Sequence, residues 1–486
     1  MSFARYAAEW SSRPVRDILA GMVGTFALIP EVIAFSFVAG VDPQVGLYAS
    51  FVIGIVIAFC GGRPAMVSGA AGSVALVAAA LVHAHGLQYL LAATLLTGAI
   101  QVVFGLLRLE VLMRFVSRSV RVGFVNALAI LIFSAQVPQM LGVSWQTYAM
   151  IGLGLAIIYL APRLTIAVPS PLICILVLTA VAIAVPMPLR RVADLGRLPD
   201  SLPALLLPRV PASLETLRIV APYALAMAMV GLLESMMTAS VVDDLTETTS
   251  SKRRECVGLG LANCAAGMFG GIAGCGMIGQ TVGNIRYGGR GRLSTLVAGL
   301  FLLLLMVALR PWVARVPVAA LVSIMIMVSI STFSWASLRS LLTHPKVSSM
   351  VMLATVAVVV ATKDLAVGVA VGVLLSGVFF AFKVMRLMEV RSAFDQASGT
   401  RVYTVSGQVF FASAEMFADA FDLRDTAKCV RIDLHAAHLW DVTAVGALEG
   451  VVGKLRRHGI EVELAGLNEA SAILIDRHGG IGLVET

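Results

Sequence analysis

Long apolar runs separated by short polar turns recur from residue 17 to residue 388. Crossing the hydrocarbon core of a bilayer takes about 20 helical residues. The runs predict membrane segments at 17–38, 44–60, 66–84, 86–107, 119–141, 146–161 and 165–187, then at 217–242, 256–272, 275–287, 293–309, 311–331, 344–362 and 365–388. Several are too short or too glycine-rich to cross alone. Beyond residue 388 the apolar period shortens to two. VYTVSGQVFF alternates as a strand, CVRIDLHAAHLWD and IEVELAGL read as two more, and helical stretches fall near 414–421, 443–457 and 468–477. The expectation is a membrane domain over 1–388, a linker at 389–398 and a small α/β domain at 399–486.

A proline-rich connection at 188–216 splits the membrane segments into two sets of seven, about 17–187 and 217–388. An odd number per half gives the halves opposite orientation, the inverted-repeat arrangement of secondary transporters. Faint internal similarity supports the division. The first segment of each half carries one interior glutamate, Glu31 in LIPEVIAF and Glu234 in LLESMMTAS. The third of each half follows a Phe and a Gly pair, FCGGRPAMVSGAAGSVAL from Phe59 and FGGIAGCGMIGQTVGNI from Phe269.

Composition strengthens the membrane assignment. Of 486 residues 59% are hydrophobic and only 13% charged, against roughly 25% charged in soluble domains. The net charge of +8 is scattered through short loops such as SKRR (251–254) and RYGGRGR (286–292). That distribution suits cytoplasmic membrane edges, whereas nucleic acid would call for one basic patch with aromatic stacking partners. With the N-terminus inside, the cytoplasmic loops hold Arg108, Arg114, Arg118 and Arg121, then Lys252, Arg253 and Arg254, then Arg286, Arg290 and Arg292, then Arg339 and Lys346. The exception is 188–216, which places Arg190, Arg191, Arg197 and Arg209 on the opposite side. The six cysteines form no CxxC pair and read as small buried hydrophobes, without disulfide, metal or cofactor. The first residues lack the apolar core of a signal peptide, so the first segment is expected to remain as a span.

Two features carry candidate chemistry. Glycine and small polar residues interrupt the third segment of each half, and broken backbone at membrane depth is tolerated where it lines a cavity or is covered by protein. Short helices starting near Ala70 and Gly279 would aim free N–H groups and positive dipole ends at one place, fit for an anion. The competing reading is small-residue helix packing. The second feature is Glu234. A carboxylate at the bilayer centre costs about 2.5–3.5 kcal/mol on insertion scales, so a chain that keeps one uses it for an ion, a proton or a partner. Thr238 stands four residues on, on the same helical face. Glu31 follows Pro30, which bends or breaks a helix. It reads equally as a second proton site or as a carboxylate bonded to backbone freed by the bend. Asp243, Asp244 and Glu247 read as solvated loop residues.

The stretch RDILAGMVGTFALIPEVIAFSFVAGVDPQVGLYASF resembles the first two spans of the SulP anion transporters, also called solute carrier family 26. GGIAGCGMIGQTVGNIRYGGRGRLSTL resembles their tenth-helix region, and 399–486 resembles their C-terminal STAS domain. The resemblance, to a bacterial member, implies a polytopic α-helical protein of 14 transmembrane segments as a 7+7 inverted repeat with core and gate domains. It further implies a multi-pass protein of the cell inner membrane with both termini cytoplasmic, a cytoplasmic STAS domain, a homodimer and alternating access. It places the anion between Gly69, Ala70, Ala71, Gly72 and Ser73 on one half-helix and Ile278, Gly279, Gln280 and Thr281 on the other. Ala70 departs from the family's frequent Pro, and Gln280 stands where animal relatives often carry Arg. Without that Arg, dipoles and a coupling cation must balance the substrate's charge. In sodium-coupled bicarbonate relatives an Asp and a Thr occupy the positions of Glu234 and Thr238. Glu allows another use, since desolvation favours its neutral, proton-carrying form.

Sporulation-type STAS proteins carry a phosphorylated Ser directly after an Asp. Here Asp441 precedes Val442, and Thr443 is expected to be a helix-capping group. The leading expectation is proton-coupled symport of a small anion such as fumarate, bicarbonate or sulfate, with sodium-coupled bicarbonate symport as the alternative. A regulatory scaffold acting through STAS contacts with cytoplasmic proteins is a reading of another class. A nucleobase transporter of the same fold is disfavoured by the STAS domain. No nucleophile motif, nucleotide loop or His cluster points to an enzyme, and His83 and His85 sit near a helix end.

Overall fold

The computed structural model describes residues 3–11, 13–164, 170–185, 188–194, 196–199, 201–343, 346–396, 398–422 and 427–478. The chain divides into two compact units, Met1–Val373 and Leu374–Thr486.

The first unit begins with α1 (Phe3–Ser11), α2 (Pro14–Val38) and α3 (Pro43–Cys60), followed by the short strand β1 (Ser68–Ala70) and α4 (Gly72–His85). Next come α5 (Leu87–Leu106), α6 (Arg118–Met140), α7 (Trp145–Leu164), α8 (Ser170–Ala184), α9 (Leu214–Thr246) and α10 (Lys252–Met268). A second short strand, β2 (Gly274–Gly276), leads into α11 (Ile278–Arg286). Then follow α12 (Arg292–Ala308), α13 (Arg310–Val313), α14 (Val318–Thr332), α15 (Trp335–Thr343), α16 (Lys346–Thr362) and α17 (Leu365–Met385), the last of which runs across the boundary into the second unit. Among the described residues α3, α5, α6, α7, α9 and α17 are each long and apolar enough to cross a bilayer, and α2, which contains Pro30, adds a seventh as a bent span. The apolar helices α4, α8, α12, α14 and α16 are shorter. α4, with 14 residues, is about 21 Å long at 1.5 Å per residue and falls short of a crossing.

Small residues bring the helices together. A Cβ on Gly98 of α5 would lie 2.5 Å from the Gly260 carbonyl of α10. One on Gly260 would lie 2.6 Å from the Gly98 carbonyl. This is backbone-to-backbone approach of the kind that associates helices in lipid, where burial of apolar side chains gives no advantage over contact with lipid tails. The long connection is anchored rather than loose: Val192 N donates to Val316 O, Ala193 N to Ala314 O and Val318 N to Arg190 O.

At the end of α9, the sequence expectation of solvated acids needs correction for Asp243. α9 continues through Thr246, and Asp243 pairs with Arg63 at 3.2 Å and Lys252 at 3.0 Å, because the buried Arg63 has to be matched. Arg254 donates to the carbonyls of Phe59 and Cys60, and Arg292 to those of Ala58 and Gly61. One face of the unit thus gathers the basic residues.

The second unit contains a four-stranded sheet, β3 (Glu389–Asp395), β4 (Thr400–Val409), β5 (Cys429–Leu439) and β6 (Glu461–Ala465), in that spatial order. Residues 389–395, expected as a linker, pair antiparallel with β4. The β4–β5 and β5–β6 pairs are parallel, with α18 (Ala414–Asp419) and α19 (Val442–Arg457) as the intervening helices, and α20 (Glu469–His478) follows. Leu448, Val452 and Leu455 recur on one face of α19 and are buried with Val405, Ile432 and Leu434 of the sheet. The cap of α19 is Asp441, whose Oδ1 accepts from Ala444 N at 2.9 Å while Oδ2 accepts from Phe411 N at 2.8 Å. Thr443, expected to cap, lies inside the helix: the β-region conformation of residue 441 puts the carboxylate, not the hydroxyl two residues on, in reach of the orphan N–H groups.

Candidate anion and coupling site

β1 and β2 pair antiparallel, Ser68 opposite Gly276, Gly69 opposite Cys275 and Ala70 opposite Gly274. Each strand runs directly into a short helix, β1 into α4 and β2 into α11. Such a ribbon inside a membrane needs every polar group of its backbone satisfied, and side chains of three helices do so. Ser50 Oγ of α3 accepts from Ala70 N at 3.0 Å. Asn263 of α10 holds Gly274 at both ends, Oδ1 accepting from its N–H at 2.8 Å and Nδ2 donating to its carbonyl at 3.1 Å. On α9, Ser235 Oγ accepts from Gly276 N at 2.8 Å and Thr238 Oγ1 donates to Gly276 O at 2.9 Å.

The two half-helices begin without side-chain caps. Ala71 and Met277 occupy the cap positions and offer no acceptor, so first-turn N–H groups are available to a ligand. α2 links the two ends. Phe35 packs against Gly72, and Glu31, one turn earlier on α2, lies beside Gln280. One helix, α2, thus contacts the starts of both half-helices. Gln280 is 4% exposed and its Nε2 completes no hydrogen bond. A buried unpaired donor is costly unless something else comes to accept from it.

The predicted residues separate by position. Gly69, Ala70, Ala71, Gly72 and Ser73 are all buried. Gly69 approaches Ser50, and a Cβ on Gly274 would lie 2.1 Å from the Gly69 carbonyl, so close packing accounts for these two glycines. At Gly279 the surroundings differ: it is exposed, and a Cβ there would meet nothing within 4 Å. Ile278 is half-buried beside it. Thr281 turns away, its Oγ1 accepting from Val67 N at 3.0 Å, and so fastens α11 to the segment before β1.

Glu234 and Glu31 are both half-buried. Ser73 Oγ, in the first turn of α4, donates to Glu234 Oε2, and Cys275 Sγ donates to the same oxygen at 3.1 Å. Thr238 does not reach the Glu234 carboxyl. Its hydroxyl bonds the Glu234 carbonyl at 2.9 Å as well as Gly276 O, tying α9 to β2. Sequence reasoning missed Cys275 as a partner of the carboxyl. Its place in GCG, directly before a half-helix, was the available signal.

A model described as the sulfate permease family matches residues 15–151 and 143–355, and a STAS-domain model matches residues 392–484. The chain belongs to the sulfate permease family. Among its relatives is a putative sulfate transporter of Bacillus subtilis (strain 168), YbaR, 52% identical over 467 residues that cover 96% of this chain and 97% of that protein. The bicarbonate transporter BicA of Picosynechococcus is 26% identical, covering 90% of this chain and 86% of that one. Fold similarity extends to murine Slc26a9, an anion transporter solved in the inward-facing state, with TM-score 0.83 at 18% identity over 96% of this chain and 87% of that one. The transmembrane domain of a cyanobacterial BicA matches with TM-score 0.65 at 24% identity over 75% of this chain and 98% of that one. Family membership makes this a multi-pass membrane protein of an anion-transporter family.

Proposed function

We propose that this chain is a secondary active transporter that carries a small anion with a proton by alternating access, with an inverted repeat of seven plus seven segments divided into core and gate. The observation that carries this reading is the pair of uncapped half-helix starts beside the buried Gln280 amide and Glu31, with Glu234 bonded to Ser73 in the first turn of one of them. The anion takes N–H groups at Gly72, Ser73 and Gly279 together with Gln280 Nε2. Glu234 alternates between a protonated form and a carboxylate held by Ser73 and Cys275. Because Ser73 belongs to both arrangements, gain or loss of the proton alters the anion's surroundings directly. Glu31, beside Gln280, is the second titratable neighbour of the substrate.

The thiol at Glu234 favours a proton over sodium. Sodium is a hard cation and binds through oxygen, and here one of the two groups on the carboxyl is sulfur, while the Thr238 hydroxyl is directed at carbonyls. Sodium-coupled bicarbonate symport is the alternative, in keeping with the bicarbonate transporter BicA among the relatives. Candidate substrates are sulfate, bicarbonate and dicarboxylates such as fumarate. The gathering of basic residues at Arg63, Lys252, Arg254 and Arg292 supports a cytoplasmic location for that face and for both termini at the cell inner membrane. The transport domain extends to about residue 388, and the protein acts as a homodimer whose STAS domain serves protein contacts, without a cofactor.

Purified protein in liposomes, supplied with each labelled anion under separate proton and sodium gradients, tests the reading. Accumulation driven by an inward proton gradient is expected. Uptake that follows sodium alone would replace proton coupling with the alternative, and uptake of none of these anions would defeat the transport reading.

A further inference from the structure

The arginines that break the positive-inside pattern find a setting in the structure. Arg292, Arg254 and Lys252 mark one face, and α12 rises 17 residues from Arg292 to Ala308, about 25 Å. α13 and the segment after it therefore lie toward the opposite face. There Arg191 pairs with Pro317 in an isolated bridge, Val192 N bonds Val316 O and Val318 N bonds Arg190 O. This junction brings the backbones bearing Arg190 and Arg191 to the stretch that bears Arg310 and Arg315, and all four side chains are exposed. Asp194, whose carboxylate accepts from Arg191 N, is the acid of the same turn.

An apolar groove starts at this junction. Val192 and Val316, the chain neighbours of Arg191 and Arg315, line its end at the junction together with Trp312, and the lining continues with Ile33 of α2, Leu305 of α12 and Ile175 of α8. Trp312 is 62% exposed, with its ring where an indole favours the boundary between hydrocarbon and water. One polar group interrupts the lining. Thr179 is 7% exposed, and its Oγ1 makes no hydrogen bond, not even to the carbonyl one turn back that helical threonines commonly use.

We propose that this arginine-rimmed groove binds an anionic phospholipid of the surrounding bilayer, its phosphate at Arg191 and Arg315 and one acyl chain along the groove with an ester oxygen within reach of Thr179. A neutral hydrocarbon would leave both the arginines and the Thr179 hydroxyl unmatched, and a small free anion would leave the groove unfilled. The chain would lie against Ile29, Pro30 and Ile33, the residues of α2 that flank Glu31, so lipid occupancy and the position of that helix are linked.

The full-length protein in nanodiscs provides the test, with phosphatidylglycerol or phosphatidylcholine carrying brominated acyl chains and quenching of tryptophan fluorescence as the readout. The Trp312→Phe variant isolates the signal of Trp312 from the other tryptophans. Phosphatidylglycerol should quench Trp312 at roughly 10- to 30-fold lower membrane fraction than phosphatidylcholine, from the attraction of two basic side chains to one anionic headgroup. The exposed pair Arg191→Gln and Arg315→Gln should remove the preference while the protein stays folded. Ile175→Phe, which fills the groove, should remove the preference for phosphatidylglycerol. Equal quenching by both lipids, or a preference that survives the double arginine variant, overturns the proposal. So does abolition of the preference by inorganic phosphate in the buffer, which would make the rim a free-anion site. Transport is not needed for any of these measurements, so their outcome is independent of the function proposed above.

Discussion

Replacing Glu234 by Gln separates proton coupling from folding. The carboxyl accepts from Ser73 Oγ and Cys275 Sγ. The amide keeps one carbonyl oxygen in nearly the same volume, and the serine hydroxyl can turn to accept from the new NH2. The variant thus loses at most one ordinary hydrogen bond, about 1 kcal/mol, small against a total stability of about 5–15 kcal/mol. Coupling should change far more. One proton moved down a gradient of one pH unit supplies about 1.4 kcal/mol, equivalent to tenfold accumulation of the co-transported anion. The amide has no proton to exchange, so the accumulation ratio should fall from about tenfold to one. Counterflow exchange of labelled for unlabelled anion should persist, because the half-helix N–H groups remain. The assay is uptake into proteoliposomes at zero membrane potential, with the thermal midpoint measured on the same preparation. Undiminished gradient-driven accumulation in Glu234→Gln would refute the coupling role and return the residue to a structural one.

Thr238→Val should leave proton-driven uptake intact and lower stability by about 1 kcal/mol through the lost bonds to Glu234 O and Gly276 O; loss of sodium-driven uptake in this variant would favour the sodium alternative. Gly279→Leu should fold, since a side chain there enters open space, yet reduce uptake by an order of magnitude or more; normal uptake would remove α11 from the site. Gly98→Val forces α5 and α10 apart where a Cβ already meets backbone at 2.5 Å and should cost about 1–3 kcal/mol or more, read as loss of monodisperse protein in detergent. Truncation before β3 should leave anion binding measurable by isothermal titration, and a folded membrane domain with no affinity would assign binding to the STAS domain.

Hydropathy and turn spacing marked the apolar helices, of which six among the described residues, and a seventh as a bent span, are long enough to cross a bilayer, because a bilayer imposes one length and one polarity on anything that crosses it. They also showed the two glycine-rich interruptions and the two lone glutamates, since each is costly in lipid and stands out against the apolar background. The β-period of the C-terminal unit was equally legible, though its first strand was not: the exposed, mixed-polarity EVRSAFD becomes a strand only by pairing with Thr400–Val409. Partners across sequence distance were decided by the tertiary fold. That Glu234 meets Ser73 and Cys275, that Thr281 and Thr238 spend their hydroxyls on backbone, and that Asp243 answers Arg63 all depend on which helix packs beside which. Local periodicity carries no information about that choice. The glycines make the same point. Gly69, Gly274 and Gly279 look alike in the chain, and only the packing shows that the first two are required by close backbone approach while the third borders open space.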